Sequence, residues 1–198
     1  MNKSGNIIYN GTMQGFDVTV RYPQKEDLAS MHTYINEISK EKTYITYQGE
    51  QISLEDEEKY LNGQLEKINK NEVVQLLLFV NNEFSGVSEI KLGQRVENHV
   101  GTFGITISQK YRGKGFGKLL MKCVLEESSK NLPTLRLVIL KVFAENEIAK
   151  KMYESFGFKE NGRLPKGIQY RGKDVDEIEM YKMCSNRGQI DDFKKLHL

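Results

Sequence analysis

The chain has 198 residues, 38% of them hydrophobic and 28% charged, and a net charge of +2 at pH 7. That length carries one well-formed core and is short for two domains. The evenly mixed charge excludes a long disordered chain and makes no global demand for nucleic acid or an anionic membrane. One domain over residues 1–198 is expected, with a loose segment over 1–14 and a C-terminal tail over 186–198. The tail reads as a short docking helix, at a homodimer contact, or as a loose end. Cys123 and Cys184 form no C-x-x-C pattern, and two lone thiols fit a reducing compartment. No apolar leader stands at the N-terminus, and the longest apolar run, residues 76–80, is too short to span a bilayer. A cytoplasmic protein is the expectation.

Phe16–Arg21 alternates with period two and reads as a strand. Pro23 follows, and Leu28, Met31, Ile35 and Ile38 give a helical stripe from about Gln24. Residues 44–49 are aromatic and irregular, the kind of loop that lines binding sites. Ser53 is placed to cap a second helix, with Glu55, Asp56 and Glu57 in its first turn. Val73–Val80 is an apolar strand, Asn81-Asn82 a turn, and residues 84–92 its hairpin partner. Val100–Ile107 is a strand interrupted by Gly101 and Gly104, which marks a bulge or a close approach. Residues 114–130 form a helix, 135–142 a strand, and 146–156 a helix. Strands near Phe158 and over 177–183 follow, joined by a turn at Arg171-Gly172-Lys173. The order βααβββαβαββ indicates a mixed-sheet α/β domain.

The most informative stretch runs from Ile105, Thr106 and Ile107 through Arg112-Gly113-Lys114-Gly115-Phe116-Gly117-Lys118. It reads as strand, loop, glycine cluster and amphipathic helix. A helix N-terminus with unpaired N–H groups and a positive dipole end binds phosphate, and glycines let the backbone approach it. The P-loop pattern fails, because Arg112 stands where a glycine is needed and Leu119 where a hydroxyl is needed. The dinucleotide fingerprint fails because the third glycine is Gly117, one residue early. The pattern R-x-x-G-x-G fits. On the loop alone, a solvated basic turn capping a helix fits as well.

With this pattern the sequence resembles the GNAT superfamily of acetyl-CoA-dependent N-acetyltransferases. A second motif supports the resemblance: Asn146, Ala149, Tyr153, Gly157 and Phe158 match N-x-x-A-x-x-x-Y-x-x-x-G-F. The close likeness covers roughly residues 101–160. It implies a GNAT-like mixed, mostly antiparallel sheet of about six or seven strands flanked by about four helices. It also implies acetyl-CoA as co-substrate, its pyrophosphate held by backbone N–H groups of Gly113, Lys114, Gly115, Phe116, Gly117 and Lys118, with charge from Arg112, Lys114 and Lys118. The pantetheine arm would pair with Ile105, Thr106 and Ile107 and hydrogen-bond Asn146, and the Tyr153 hydroxyl would reach the sulfur. Residue by residue, Asn146 also reads as a helix cap and Tyr153 as core packing.

Acetyl transfer to a primary amine by direct attack needs an oxyanion donor, a proton donor for the thiolate and a way to neutralise the amine. Backbone N–H groups near Ile105–Ile107 suit the first and Tyr153 the second. Ribosomal-protein N-terminal acetyltransferases of the superfamily place a Glu where this chain has Lys141. Glu89 is then the expected base, with His99 a lesser choice, a water relay another, and a solvent-facing strand carboxylate the plain reading of Glu89. Glu41, Tyr44, Tyr47, Glu50 and Gln51 would give the acceptor mouth an aromatic, acidic lining suited to a cationic amine. The acceptor is a polyamine, an amino acid, an amino-sugar or a protein N-terminus. His32, His99 and His197 have no ligand-like spacing, so no metal is expected. A non-catalytic acyl-CoA sensor keeping the same pocket stays open as an alternative. Nucleic-acid binding through the Arg112–Lys118 cluster does not suit the sequence, because only Tyr111 and Phe116 are near enough to stack.

Overall fold

The computed structural model describes residues 3–184. The strands are β1 (Ile7–Met13), β2 (Phe16–Arg21), β3 (Val73–Val80), β4 (Glu83–Leu92), β5 (Val100–Ile107), β6 (Leu137–Phe143), β7 (Lys159–Tyr170) and β8 (Lys173–Met183). The helices are α1 (Leu28–Lys40), α2 (Leu54–Asn69), α3 (Phe116–Asn131) and α4 (Glu147–Ser155). All eight strands form one sheet in the order β1-β2-β3-β4-β5-β6-β8-β7. Every neighbouring pair is antiparallel except β5 and β6. The mixed, mostly antiparallel sheet and its four helices are as expected.

The strand count exceeds the expected six or seven because residues 7–13 are not loose. They form β1, which closes on β2 through Gln14 and Gly15, both at positive φ (52° and 79°). A two-residue turn with both residues left-handed matches the twist of a hairpin. The polar run Asn10-Gly11-Thr12 hides the strand, which lies at the sheet edge and turns Tyr9 and Met13 onto the core. The expected C-terminal docking helix or dimer contact, residues 186–198, lies outside the described residues.

Helix α3 packs on one face of the sheet. Phe116, Leu120 and Val124 are fully buried with Val74, Leu76 and Leu78 in the principal core. Helices α1 and α2 cover the other face, where Met31, Leu61 and Leu77 form a smaller cluster. Local caps behave as their residue types dictate. Ser53 accepts a bond from Asp56 N, and Gly157 (φ 84°) ends α4 with Phe158 N bonded to Tyr153 O. Strand β2 is joined to α1 by a buried ion pair in which both Asp27 oxygens meet Arg21 (2.6 and 2.8 Å) and one also accepts Gln24 N.

One feature of the topology makes room for chemistry. Strand β5 pairs with β4 along its whole length, from Gly101 to Ile107, and β6 pairs with β8 from Leu137 to Phe143. Between β5 and β6, only Val100–Thr102 and Leu137–Ile139 are paired. Beyond Thr102 the strands part, and the β6-facing edge of β5 is left without a neighbouring strand.

Asp27→Ala leaves the largely buried Arg21 guanidinium without its carboxylate, and the variant is expected to lose about 3 kcal/mol of stability in urea unfolding. A loss below ~1 kcal/mol would show that the pair does not anchor α1.

Candidate active site

The loop after β5 is shaped to offer backbone donors. Gly113 and Gly115 take φ of 74° and 77°, in the left-handed region that side chains disfavour. Gly115 is the cap residue of α3, and the first bond of the helix runs from Leu119 N to Gly115 O (3.1 Å). The N–H groups of Phe116, Gly117 and Lys118 therefore precede the helical ladder, at the positive end of the dipole. This suits a pyrophosphate. The Phe116 side chain is fully buried against the Phe16 and Tyr111 rings, so Phe116 offers only its backbone.

The basic side chains divide. Lys118 is exposed. Lys114 folds back, donating to Lys110 O (2.7 Å) and lying 5.7 Å from the Phe16 and Tyr111 ring centres. Arg112 donates through Nε to Ile107 O (2.8 Å) and pairs with the Glu41 carboxylate, which also accepts Gln109 N. Arg112 thus ties the glycine loop to the end of α1.

A cavity of about 520 Å³ occupies the gap between β5 and β6. Thr102, Phe103, Gly104, Ile105 and Thr106 line one side. Lys141, Val142 and Phe143 of β6 line the other, with Asn146 and Tyr153 from α4. Tyr44, Ile45, Thr46 and Gln48 of the loop after α1 and the hairpin residues Ile168 and Glu177 complete the lining. Ile107 packs on the core and does not line the cavity. The Thr106 hydroxyl bonds to Tyr34 (2.9 Å).

Asn146 caps α4 by accepting Ala149 N (3.2 Å), which leaves its side-chain NH2 as a donor on the cavity wall. Tyr153 is 8% exposed, with Phe103 edge-on at 5.9 Å. Its hydroxyl bonds to no described residue, and burial pushes its pKa up to about 12. The two plain readings, helix cap and core ring, are thus correct and compatible with a place at the cavity.

Glu89 sits opposite Gly104 in the β4–β5 register, so both face α1 and α2. The carboxylate does not line the cavity. One of its oxygens accepts Gln64 Nε2 (2.5 Å), Gln75 Nε2 (3.1 Å) and Tyr60 OH (3.5 Å) beneath α2. Above Gly104 a Cβ would meet nothing within 4 Å. His99 precedes β5, where its carbonyl accepts Arg136 N and Leu137 N, away from the cavity.

The acidic lining expected for the acceptor mouth is not that of this cavity. Of its five residues only Tyr44 lines the cavity. Glu41 is taken by Arg112, Glu50 by Gln48 N, and Gln51 by nearby carbonyls. The charge at the cavity comes instead from Glu177 of β8, 2.9 Å from Lys141 Nζ. That contact holds the Lys141 pKa above its ordinary value, which keeps the ammonium charged and unfit as a base. Sequence reasoning missed Glu177 because Glu177 and Glu179 are equivalent in the alternation of β8. Only the register of Phe143 opposite Glu177 selects one of them.

A family model described as "Acetyltransferase (GNAT) family" matches residues 32–158. The chain belongs to the GNAT family. It is an N-acetyltransferase with acetyl-CoA as co-substrate. The L-amino acid N-acetyltransferase AaaT of Escherichia coli (strain K12) is 29% identical over 112 residues, 56% of this chain and 68% of that protein. A GNAT-family acetyltransferase structure from Streptococcus pneumoniae superposes with a TM-score of 0.78 at 26% identity, covering 85% of this chain and 99% of that one. The spermidine N-acetyltransferase of Vibrio cholerae, solved with CoA and spermine, superposes with a TM-score of 0.70 at 25% identity, covering 84% and 95%.

The glycine loop of this acetyltransferase has a sharp test. At Gly115 a Cβ would strain a positive φ and come 2.6 Å from Met13 Cε, whereas at Gly117 it would meet Met152 Sδ at an ordinary 3.5 Å. Gly115→Val should weaken acetyl-CoA binding in calorimetry by about tenfold or more through loss of the helix-terminal donors. Gly117→Ala should fold with unchanged stability, so any loss of affinity it shows reports crowding of the ligand. Unchanged affinity in both variants would remove the loop from the cofactor site.

Proposed function

We propose that this enzyme acetylates a primary amine by direct attack on acetyl-CoA bound along the free edge of β5. The observation that carries this reading is the Tyr153 hydroxyl, unbonded among the described residues, on the wall of the gap where β5 leaves β6. The pyrophosphate lies on the backbone N–H groups of Gly113–Lys118, with Arg112 holding the loop in shape and Lys118 supplying charge. The pantetheine arm runs beside Ile105–Ile107, with Asn146 as a donor from α4. Backbone N–H groups on this edge of β5 stabilise the oxyanion of the tetrahedral intermediate.

The amine nitrogen attacks the thioester carbon and the C–S bond breaks. Tyr153 gives its proton to the departing sulfur and is reprotonated from solvent. The proton lost by the nitrogen passes through water standing over Gly104 to Glu89, whose second carboxylate oxygen has no protein donor among the described residues. Thr46, Gln48 and Tyr44 stand on the side from which the acceptor enters. The acceptors named for relatives, amino acids and spermidine, set the range to be tested. Cytoplasmic residence fits the two unpaired thiols.

Tyr153→Phe is expected to lower kcat by roughly 100-fold with acetyl-CoA affinity nearly intact. Because the Tyr153 pKa is raised from 10.0 to about 12, the hydroxyl stays protonated through neutral and mildly alkaline pH. The wild-type rate should therefore rise across that range as the amine deprotonates, with no early alkaline fall. A kcat unchanged by the substitution removes Tyr153 from the mechanism.

Glu89→Gln should reduce kcat by about tenfold or more at neutral pH. The deficit should shrink as pH approaches the pKa of the amine, which then needs no base. A deficit independent of pH would assign Glu89 to the packing of α2 instead.

A further inference from the structure

Two charged side chains line the cavity among the described residues, Lys141 and Glu177, and they are paired with each other at 2.9 Å. Lys141 lies two residues beyond the last β5–β6 pair, Thr102 with Ile139. Residues 139, 141 and 143 share a face with Thr102, Gly104 and Thr106, so the pair flanks the gap on the acceptor side of the sheet. The Glu177 side chain is 19% exposed and that of Lys141 60%. The lysine head can leave its partner without being pulled from a core.

We propose that the acceptor is an amine that also carries a carboxylate, an amino acid, bound with its amino group at Glu177 and its carboxylate at Lys141. The inference rests on acetyl transfer in this cavity and narrows its acceptor. A zwitterion replaces one ion pair by two and leaves the net charge of the cavity at zero. The amino group keeps N–H donors for Glu177 after it loses its proton, so the same contact serves before and during attack. A polyamine finds the opposite situation. It brings two or more positive charges to a single carboxylate that already has a lysine beside it. The carboxylates that would neutralise it are committed elsewhere: Glu41 to Arg112, Glu50 to Gln48 N, Glu179 to Asn161, and Glu89 beneath α2. The remaining wall on this side is uncharged and mixed, with Tyr44, Phe143 and Ile168 beside Thr46 and Gln48. It faces the amino-acid side chain.

The test compares the common L-amino acids with their C-terminal amides, the matching decarboxylated amines and spermidine, by thiol release from acetyl-CoA. Acetyl-CoA binding is measured separately by calorimetry. The amino acid should exceed its amide and its decarboxylated amine in kcat/KM by about tenfold or more, the effect of one charge-assisted pair. Lys141→Met should abolish that preference by raising KM for the amino acid while the amide keeps its kcat/KM, and Lys141→Glu should turn the preference toward diamines. A pair that only joined β6 to β8 would lower every substrate together, which overturns the proposal. So would a wild-type preference for spermidine or for amides, which mimic a peptide N-terminus, or an enzyme that binds acetyl-CoA and acetylates no amino acid. A protein that does not bind acetyl-CoA overturns the acetyl-transfer reading itself, and the inference with it.

Discussion

The parting of β5 from β6 is the constraint on which the site depends. Each strand satisfies one edge completely, β5 against β4 and β6 against β8, and the two share only three residue pairs. An unpaired strand edge inside a protein leaves N–H and C=O groups that need partners. Here that edge faces a cavity, so an extended ligand can complete what the sheet leaves open, as a peptide does when it adds a strand. The same gap admits the Tyr153 hydroxyl from one face of the sheet and the Lys141–Glu177 pair from the other. A closed sheet would keep the core and lose the meeting of the two.

The glycine loop and Tyr153 are set in place by the core. Tyr153 is wedged between Phe103 and Phe158, and α3 is fixed by Phe116, Leu120 and Val124, so the donors at its N-terminus are as rigid as the hydrophobic interior. Burial serves the chemistry as well as the packing. It raises the Tyr153 pKa, so the phenol stays protonated, as the proposed proton transfer to sulfur requires, and no neighbouring charge contributes to that shift.

How far the sequence disclosed this follows the same division. Helix α3, α4 and their glycine and asparagine signals are local, and the two motifs lie within sixty residues of continuous chain, so the fold, the family and the shape of the glycine loop were legible. The hairpin turn at Gln14-Gly15 was not, because glutamine gives little sign of a left-handed conformation. Glu41 and Glu50 look free in sequence, and in the structure both are partnered away from the cavity. Glu41 meets Arg112 across 71 positions, a contact set only by where α1 ends. Glu177 reaches the cavity through strand register, which period-two alternation does not encode.

The proposed acceptor end of the cavity is built from pieces outside the core. Tyr44, Phe143 and Tyr170 form a three-ring cluster with centroids 5.3–5.5 Å apart, joining the loop after α1 to β6 and to the β7–β8 hairpin. Tyr170 OH and Arg171 both donate to Lys42 O, fastening the hairpin tip to the start of that loop. The start of the loop is therefore held twice, by Glu41 to the glycine loop and by Lys42 to the hairpin. In the proposed binding mode the acceptor end rests on contacts that cross three separate segments, whereas the cofactor end rests on the continuous run from β5 to α4. Changes at Tyr170 or Arg171 should reshape the choice of amine and leave the donors at α3 in place, because no contact in the cluster passes through the core that fixes them.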